Sequence, residues 1–303
     1  MTLRLASAPV TWGVWERTID RPDLIPPVRM LETVRALGYT GIELGPPGYF
    51  GGAPAAVGKA LEPYELSLVG GFAPLHIADE EAFQDDVTTW LDPVIETLAA
   101  TGARGPVVLA DAETDVRIAA AGRPEELERT ALDPDAFARA LERVNSAVER
   151  CRAGGVDAVF HHHAATYVET PGELERFLVG TDVGICFDTG HALVGGGDPV
   201  EVARLCGARL AHVHLKDVDG ALLAGVRSGE LGMEQAWDEG IFCPFGRGEV
   251  DFAAVLATPE LVGFAGWTVL EQDRVAVRVD DLDAVRAVEE ANLAVVRAAQ
   301  ARQ

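Results

Sequence analysis

Positive charge is scarce in this chain. Against 48 aspartates and glutamates stand 25 lysines and arginines, which leaves a formal net charge of −23 and a pI near 4.6. Such a surface repels polyphosphates and anionic lipids. It speaks against nucleic acid and membrane as partners and for a small neutral ligand, or one bound with the help of a cation. Cysteine is sparse as well: Cys151, Cys186, Cys206 and Cys243 form no CxxC pair and no zinc-ribbon spacing. They read as reduced thiols of a cytoplasmic protein, not as a disulfide framework. No window approaches the roughly 18 uninterrupted apolar residues of a membrane span. The opening Met1-Thr2-Leu3-Arg4-Leu5-Ala6 runs straight into a strand-like segment, so no signal peptide is expected. What the chain does have is 48% hydrophobic residues and 32 glycines in 303, the composition of a fold with many buried strands and tight turns. One domain over 1–303 is expected from this length.

Short β-branched or apolar runs alternate with amphipathic helical stretches along the chain. Strands are expected at 3–9, 41–45, 66–76, 106–110, 158–163, 183–187, 210–215 and 267–270. Helices are expected at about 25–37, 80–100, 134–151, 198–205 and 282–299, the third burying Phe137, Leu141, Val144 and Val148 and the last presenting Leu282, Val285, Val288 and Val296. Residues 111–133 and 219–240 lack a clear apolar stripe and read as loop or lid insertions. Eight strand and helix pairs in strict alternation predict a single (β/α)8 TIM barrel.

In that fold chemistry collects where the strands end. The run Val183-Gly184-Ile185-Cys186-Phe187 ends in Asp188-Thr189-Gly190-His191, and Leu210-Ala211-His212-Val213-His214-Leu215 ends in Lys216-Asp217. Asp198-Pro199 starts the helix between them, so Asp188 and His214 fall one repeat apart, on neighbouring strands at the same level. A carboxylate and an imidazole meeting there suit a divalent metal. Taken singly, Asp188 is equally explained as a helix cap and His214 as a satisfied core histidine. The other polar strand ends are Glu43, His76, His161-His162-His163, Glu271 and Asp273. Strand alternation turns His161 and His163 one way and His162 the other, and places His212 a layer below His214. Glu43, in an otherwise apolar strand, needs a partner. Trp12 and Trp15 fit either the core or a substrate wall.

These residues carry a resemblance. Asp-Thr-Gly-His at 188–191, His-Val-His-Leu-Lys-Asp at 212–217 and Val-Leu-Glu-Gln-Asp at 269–273 are similar to the metal-binding strand ends of the xylose isomerase-like TIM barrels, over nearly the whole chain. The resemblance implies a divalent metal on Asp188, His214 and Glu271, with His161 at the first position, where the superfamily usually has Glu. Within the superfamily, Ala8-Pro9-Val10-Thr11-Trp12-Gly13-Val14, His161-His162-His163-Ala164-Ala165-Thr166 and Glu271-Gln272-Asp273 most resemble the inosose dehydratases of inositol catabolism. That likeness implies loss of water from 2-keto-myo-inositol or a similar cyclic keto-polyol, with Mn2+ or Co2+, or else Zn2+ or Mg2+.

The chemistry agrees: a metal stabilises the enolate formed when the α-proton leaves, and hydroxide expelled from the β-carbon needs a proton donor. Candidate acid and base groups are Glu43, His163, His191 and Lys216. Candidate substrate contacts are Trp12, His76 and Arg247, the last in a Gly-flanked turn. The nearest alternative is an isomerase or epimerase of a ketose or of hydroxypyruvate, which uses the same metal and returns the proton. A DNA-repair endonuclease shares the fold but needs a basic groove, and a catalytically silent sugar-binding barrel would have lost ligands that are present here. Monomer and homo-oligomer are both compatible with the surface.

Overall fold

The computed structural model describes residues 3–275 and 277–302. Eleven strand segments alternate with helices: β1 Arg4–Ser7, β2 Gly41–Ile42, β3 Ser67–Leu68, β4 Gly71–Leu75, β5 Val107–Asp111, β6 Ala158–His161, β7 Gly184–Asp188, β8 Leu210–Leu215, β9 Asp217–Val218, β10 Phe242–Cys243 and β11 Trp267–Leu270. Nine of them form one parallel sheet in the order β3-β2-β1-β11-β8-β7-β6-β5-β4. The ends of that order, β3 and β4, are two halves of one strand interrupted at Val69-Gly70. Leu44 N–H donates to Gly70 O on one side and Gly71 N–H to Pro106 O on the other. The sheet therefore closes on itself, and the eight expected barrel strands are all present. The remaining two segments, β9 and β10, pair antiparallel above the rim.

Gly70 is small for a reason that bears on the site: a Cβ there would lie 2.6 Å from Glu43 Oε1. Below the polar ends, Ala6, Ala8, Val69, Trp267 and Val269 form one cluster and Val108, Val159 and Cys186 another, filling the barrel. The large core lies between strands and helices. Helix Pro134–Ala153 buries Phe137, Ala140, Val144, Ala147 and Cys151, with Leu141 and Val148 packed at the margin. Its N-cap, Asp133, accepts from Ala136 N–H, and Pro134 follows it, an arrangement suited to a helix start. The expected helix at 80–100 is interrupted by a single π-helical turn, Val87–Leu91, ahead of Pro93.

Both expected loop insertions carry helices. Residues 111–133 contain Asp115–Ala120 and Pro124–Arg129, and 219–240 contain Gly220–Ser228 and Met233–Asp238. The first has no apolar stripe because it is held by a buried guanidinium. Arg117 is 0% exposed and donates to Thr166 O (2.6 Å), Leu127 O (3.0 Å) and both carboxylate oxygens of Glu173 (3.0 and 3.1 Å). The second packs Leu223, Val226, Met233, Ala236 and Trp237 against Val218, Ile241, Phe242, Ala164 and Ala165 in a small core of its own. Among the described residues no helix is long and apolar enough to cross a membrane.

Candidate functional site

The polar strand ends converge on one rim. Asp188 ends β7 and also caps the next helix, Thr189–Val194, its Oδ1 accepting from Gly190 N–H (2.7 Å) and His191 N–H (2.9 Å). Its Oδ2 lies 3.1 Å from Lys216 Nζ, 3.8 Å from His214 Nδ1 and 3.9 Å from His161 Nε2. Helix cap and cluster member are thus roles of two different oxygens. Thr189 fixes the β7 end to the β8 end: its Oγ1 donates to Lys216 O (2.7 Å) and accepts from Lys216 N–H (2.8 Å). Gly190 allows the approach, since a Cβ there would lie 2.6 Å from the Lys216 Cβ. Glu271, just past β11, places Oε2 2.6 Å from Lys216 Nζ and 3.0 Å from His214 Nδ1.

Among the described residues three groups of side chains place ligand-type atoms within 4.8 Å of one another: Glu43, His212 and His214; His161, His163 and His191; and His161, Asp188 and His214. Hydrogen bonding separates them. Glu43 Oε1 accepts from His212 Nε2 (3.0 Å) and His214 Nε2 (3.1 Å), so that carboxylate is already satisfied by two imidazole N–H groups. His191 Nδ1 accepts from Ala164 N–H (3.2 Å) and its Nε2 lies 3.4 Å from Lys216 Nζ, so both ring nitrogens already have neighbours. The third group behaves differently. His214 Nε2 donates to Glu43, and its Nδ1 faces two carboxylate oxygens, Glu271 Oε2 at 3.0 Å and Asp188 Oδ2 at 3.8 Å. Burial works against charge on this ring, yet Cys186, Glu271 and Glu43 raise it well above the ordinary imidazole range, so the spot between the carboxylates calls for positive charge, which a proton on Nδ1 or a divalent cation bound there supplies. The residues therefore fit a divalent cation held by Asp188, His214 Nδ1, Glu271 and His161, with Glu43 as the group that orients His214.

The charges respond accordingly. Burial alone would raise Glu271, yet His214 and Lys216 hold its carboxyl well below the usual range. Burial likewise opposes ionisation of Glu43, and His214 and His212 outweigh it. Lys216 stays charged despite burial because Asp188, Asp273 and Glu271 surround it. Burial pushes His163 down to about 4, and also lowers His161 and His191, so these rings are neutral.

Over this cluster lies a cavity of about 250 Å3, small for a ligand cleft. Its floor is Glu43, His161, His163, His214, Lys216, Glu271 and Asp273, and its walls include Phe72, Pro46, Pro74, Trp15, Trp237 and Asp111. At the mouth the Arg17 guanidinium lies 5.3 Å from the Trp15 ring and 5.4 Å from that of Trp237, and bonds Glu113 at 2.8 Å.

Six of the eleven expected site residues thus line the cavity, Glu43, His161, His163, His214, Lys216 and Glu271, and five do not; Asp188 lies just beneath it, in the cluster. His191 stands behind His163, ring centroids 3.7 Å apart. Trp12 is fully buried in the core with its indole N–H on Ser7 Oγ (3.0 Å); the tryptophans that reach the cavity are Trp15 and Trp237. His76 pairs with Asp86 (2.8 Å), partly exposed, so the third strand's end is used structurally. Arg247 is exposed, and its turn is held by Asp217, which accepts from Gly246 and Gly248 N–H. Past β11, Asp273 faces Lys216 (3.5 Å) and Arg274 faces Glu289 (3.4 Å). Asp111 was missed because β5 was ended at Ala110; the strand-end rule extended by one residue would have found it.

Comparison with known proteins agrees with this geometry. The model of the family described as "Xylose isomerase-like TIM barrel" matches residues 31–292. The rhizopine catabolism protein MocC of Rhizobium meliloti is 32% identical over 279 residues, 90% of this chain and 82% of that protein. An inosose dehydratase of Geobacillus kaustophilus is 29% identical over 277 residues, 89% of this chain and 87% of the enzyme. Among solved structures, the IolI protein with a bound zinc atom superposes with a TM-score of 0.71 at 15% identity, covering 97% of this chain and 98% of that one. With a closed eight-stranded barrel, a metal-type donor set at its C-terminal rim and these matches, the chain belongs to the xylose isomerase-like TIM barrel family.

Proposed function

We propose that the protein is a metal-dependent carbon–oxygen lyase that removes water from 2-keto-myo-inositol or a closely similar cyclic keto-polyol. The observation that carries the reading is the donor set under a small open cavity, in a chain aligned over 89% of its length with an inosose dehydratase. A divalent ion held by His161, Asp188, His214 and Glu271, manganese or cobalt in this reading, would supply positive charge beside the substrate carbonyl and so stabilise the negative charge that grows there.

The chain's own groups do the rest. Glu43 holds His214 with Nδ1 turned inward. Lys216 adds a second fixed cation on the cavity floor. His163 donates from Nδ1 to Ala164 O (2.8 Å), which leaves the Nε2 lone pair free to take the α-proton. His191 backs His163 as a positioning residue. Trp15 and Trp237 give the substrate ring an apolar face to rest on. Inositol catabolism is the context that fits this substrate. Four buried, unpaired cysteines fit the cytoplasm, and a homo-oligomer is compatible with the reading.

The test is proton NMR in D2O of the Mn2+-loaded protein with 2-keto-myo-inositol. Water loss to the cyclic dione is the expected result. Exchange of the α-proton without elimination would replace the reading by the isomerase or epimerase one. Asp188→Asn is expected to lose the ion, measured as bound metal per chain after dialysis; full metal content in that variant would overturn the ligand assignment.

A further inference from the structure

Elimination needs a proton on the departing oxygen, and most groups facing the cavity have none to give. The Lys216 ammonium is engaged by Asp188 (3.1 Å), Glu271 (2.6 Å) and Asp273 (3.5 Å). Glu43 accepts from two imidazoles, and the Nδ1 hydrogen of His163 is committed to Ala164 O. Glu113 is paired with Arg17 at the mouth. Among the described residues one buried carboxyl in the wall remains outside the ion pairs; Glu16, the other lining carboxyl without one, is partly exposed. Asp111, 3% exposed, ends β5 and is held only by backbone amides, Ile77 N–H to Oδ1 (3.3 Å) and Tyr167 N–H to Oδ2 (2.7 Å).

Its place in the ring is what gives it a role. Among the eight barrel strands β5 stands four steps from β11, diametrically opposite the strand that delivers Glu271. The metal-type donors occupy β6, β7, β8 and the end of β11, and β5 pairs with β6, Ala110 opposite His161, so Asp111 flanks the donor arc on the side of His161 and His163. A ring gripped by its carbonyl over that arc brings an adjoining edge alongside Asp111.

We propose that Asp111 is the general acid of the reaction, donating its proton to the hydroxyl that leaves the β-carbon. The inference rests on the dehydratase reading. His163 Nε2 takes the α-proton and the C–H electron pair is held as the enolate of the ketone; the carbonyl then re-forms, the enolate carbon–carbon pair becomes the α,β double bond, and the C–O bond breaks with its pair on oxygen. The Asp111 proton completes a water molecule. The enol then becomes the diketone, and His163 and Asp111 return to their starting states by exchange with solvent. No oxidant or reductant is consumed. Burial pushes Asp111 up to about 7, against the two amides and the more distant charges of Arg117 and His76, so the protonated form is available near neutrality. Arg117 is itself bonded to Glu173 and His76 to Asp86.

The experiment follows both proton events on one substrate. With Mn2+-loaded Asp111→Asn in D2O, water loss from 2-keto-myo-inositol is expected to fall by about 100-fold or more. Exchange of the α-proton is expected to continue within about threefold of wild-type turnover, and because exchange requires a folded, loaded site it also reports folding. Asp111→Glu is expected to recover part of the elimination. The inference is overturned if Asp111→Asn eliminates within a few-fold of wild type, or if exchange and elimination fall together in both variants. Wild-type protein that does not eliminate would instead overturn the dehydratase reading, and this inference with it.

Discussion

Glu43 does two jobs with one oxygen. By accepting from His212 and His214 through Oε1 it fixes the tautomer of His214 and points Nδ1 at Asp188 and Glu271. Carboxylates that orient a ligating histidine commonly contribute about 10- to 100-fold to metal affinity. Glu43→Gln is therefore expected to weaken Mn2+ binding by that factor in calorimetric titration, because an amide accepts less strongly and its NH2 group opposes the second imidazole. Unchanged affinity would remove Glu43 from the metal-orienting role.

At the scale of elements, the helices of 111–133 are welded to the loop after β6. Arg117 reaches Thr166 and Glu173, while Glu169 accepts from Gly122 N–H (2.8 Å) with one oxygen and from Ala165 N–H (2.7 Å) with the other. Ala165 is in the left-handed region, φ +64°, next to the carbonyl that fixes His163. A non-glycine residue stays there only when its surroundings hold it. Burial raises the Glu169 carboxyl from 4.5 to about 7. A carboxyl raised in the folded state is protonated there while the unfolded chain has already ionised. Its contribution is thus full below about pH 4.5 and lost as pH rises through about 7, up to about 3 kcal/mol. Urea denaturation at a series of pH values should show wild type losing ground to Glu169→Gln across that window. A pH-independent difference would mean that Glu169 is ionised throughout.

For the whole molecule the dominant quantity is the charge of −23. Repulsion among so many carboxylates opposes the compact state, and salt screens it over a Debye length of about 10 Å at 0.1 M. Raising NaCl from about 0.05 to 0.5 M is expected to raise the melting temperature by roughly 2 °C or more, corresponding to about 1 kcal/mol in a chain of this size. A decrease would show that attractive surface pairs such as Arg35 with Glu65 outweigh the net repulsion.

The alternation of apolar runs and amphipathic helices was enough to determine the barrel, and the rule that chemistry gathers at strand ends was enough to bring Asp188, His214, Lys216 and Glu271 onto one list. Both are local patterns with fixed periods, readable without knowing which strands are neighbours. What needed the tertiary structure were relations across the ring. Glu289 in the last helix is fully buried where an apolar face was expected at Val288, because Tyr39, from the far end of the chain, joins Arg274 and Asn292 in supplying its partners. Arg117 is one charge in a polar insertion by sequence, and its burial depends on Thr166 O, Leu127 O and the Glu173 carboxylate closing around it. Trp12 and Trp15, three residues apart, went to the core and the cavity wall because a short 3-10 turn, Pro9–Trp12, ends between them at Gly13. Periodicity reports which residues share a face. Which partner waits on the far side, and which nitrogen of a histidine keeps its lone pair, is decided only when the ring closes.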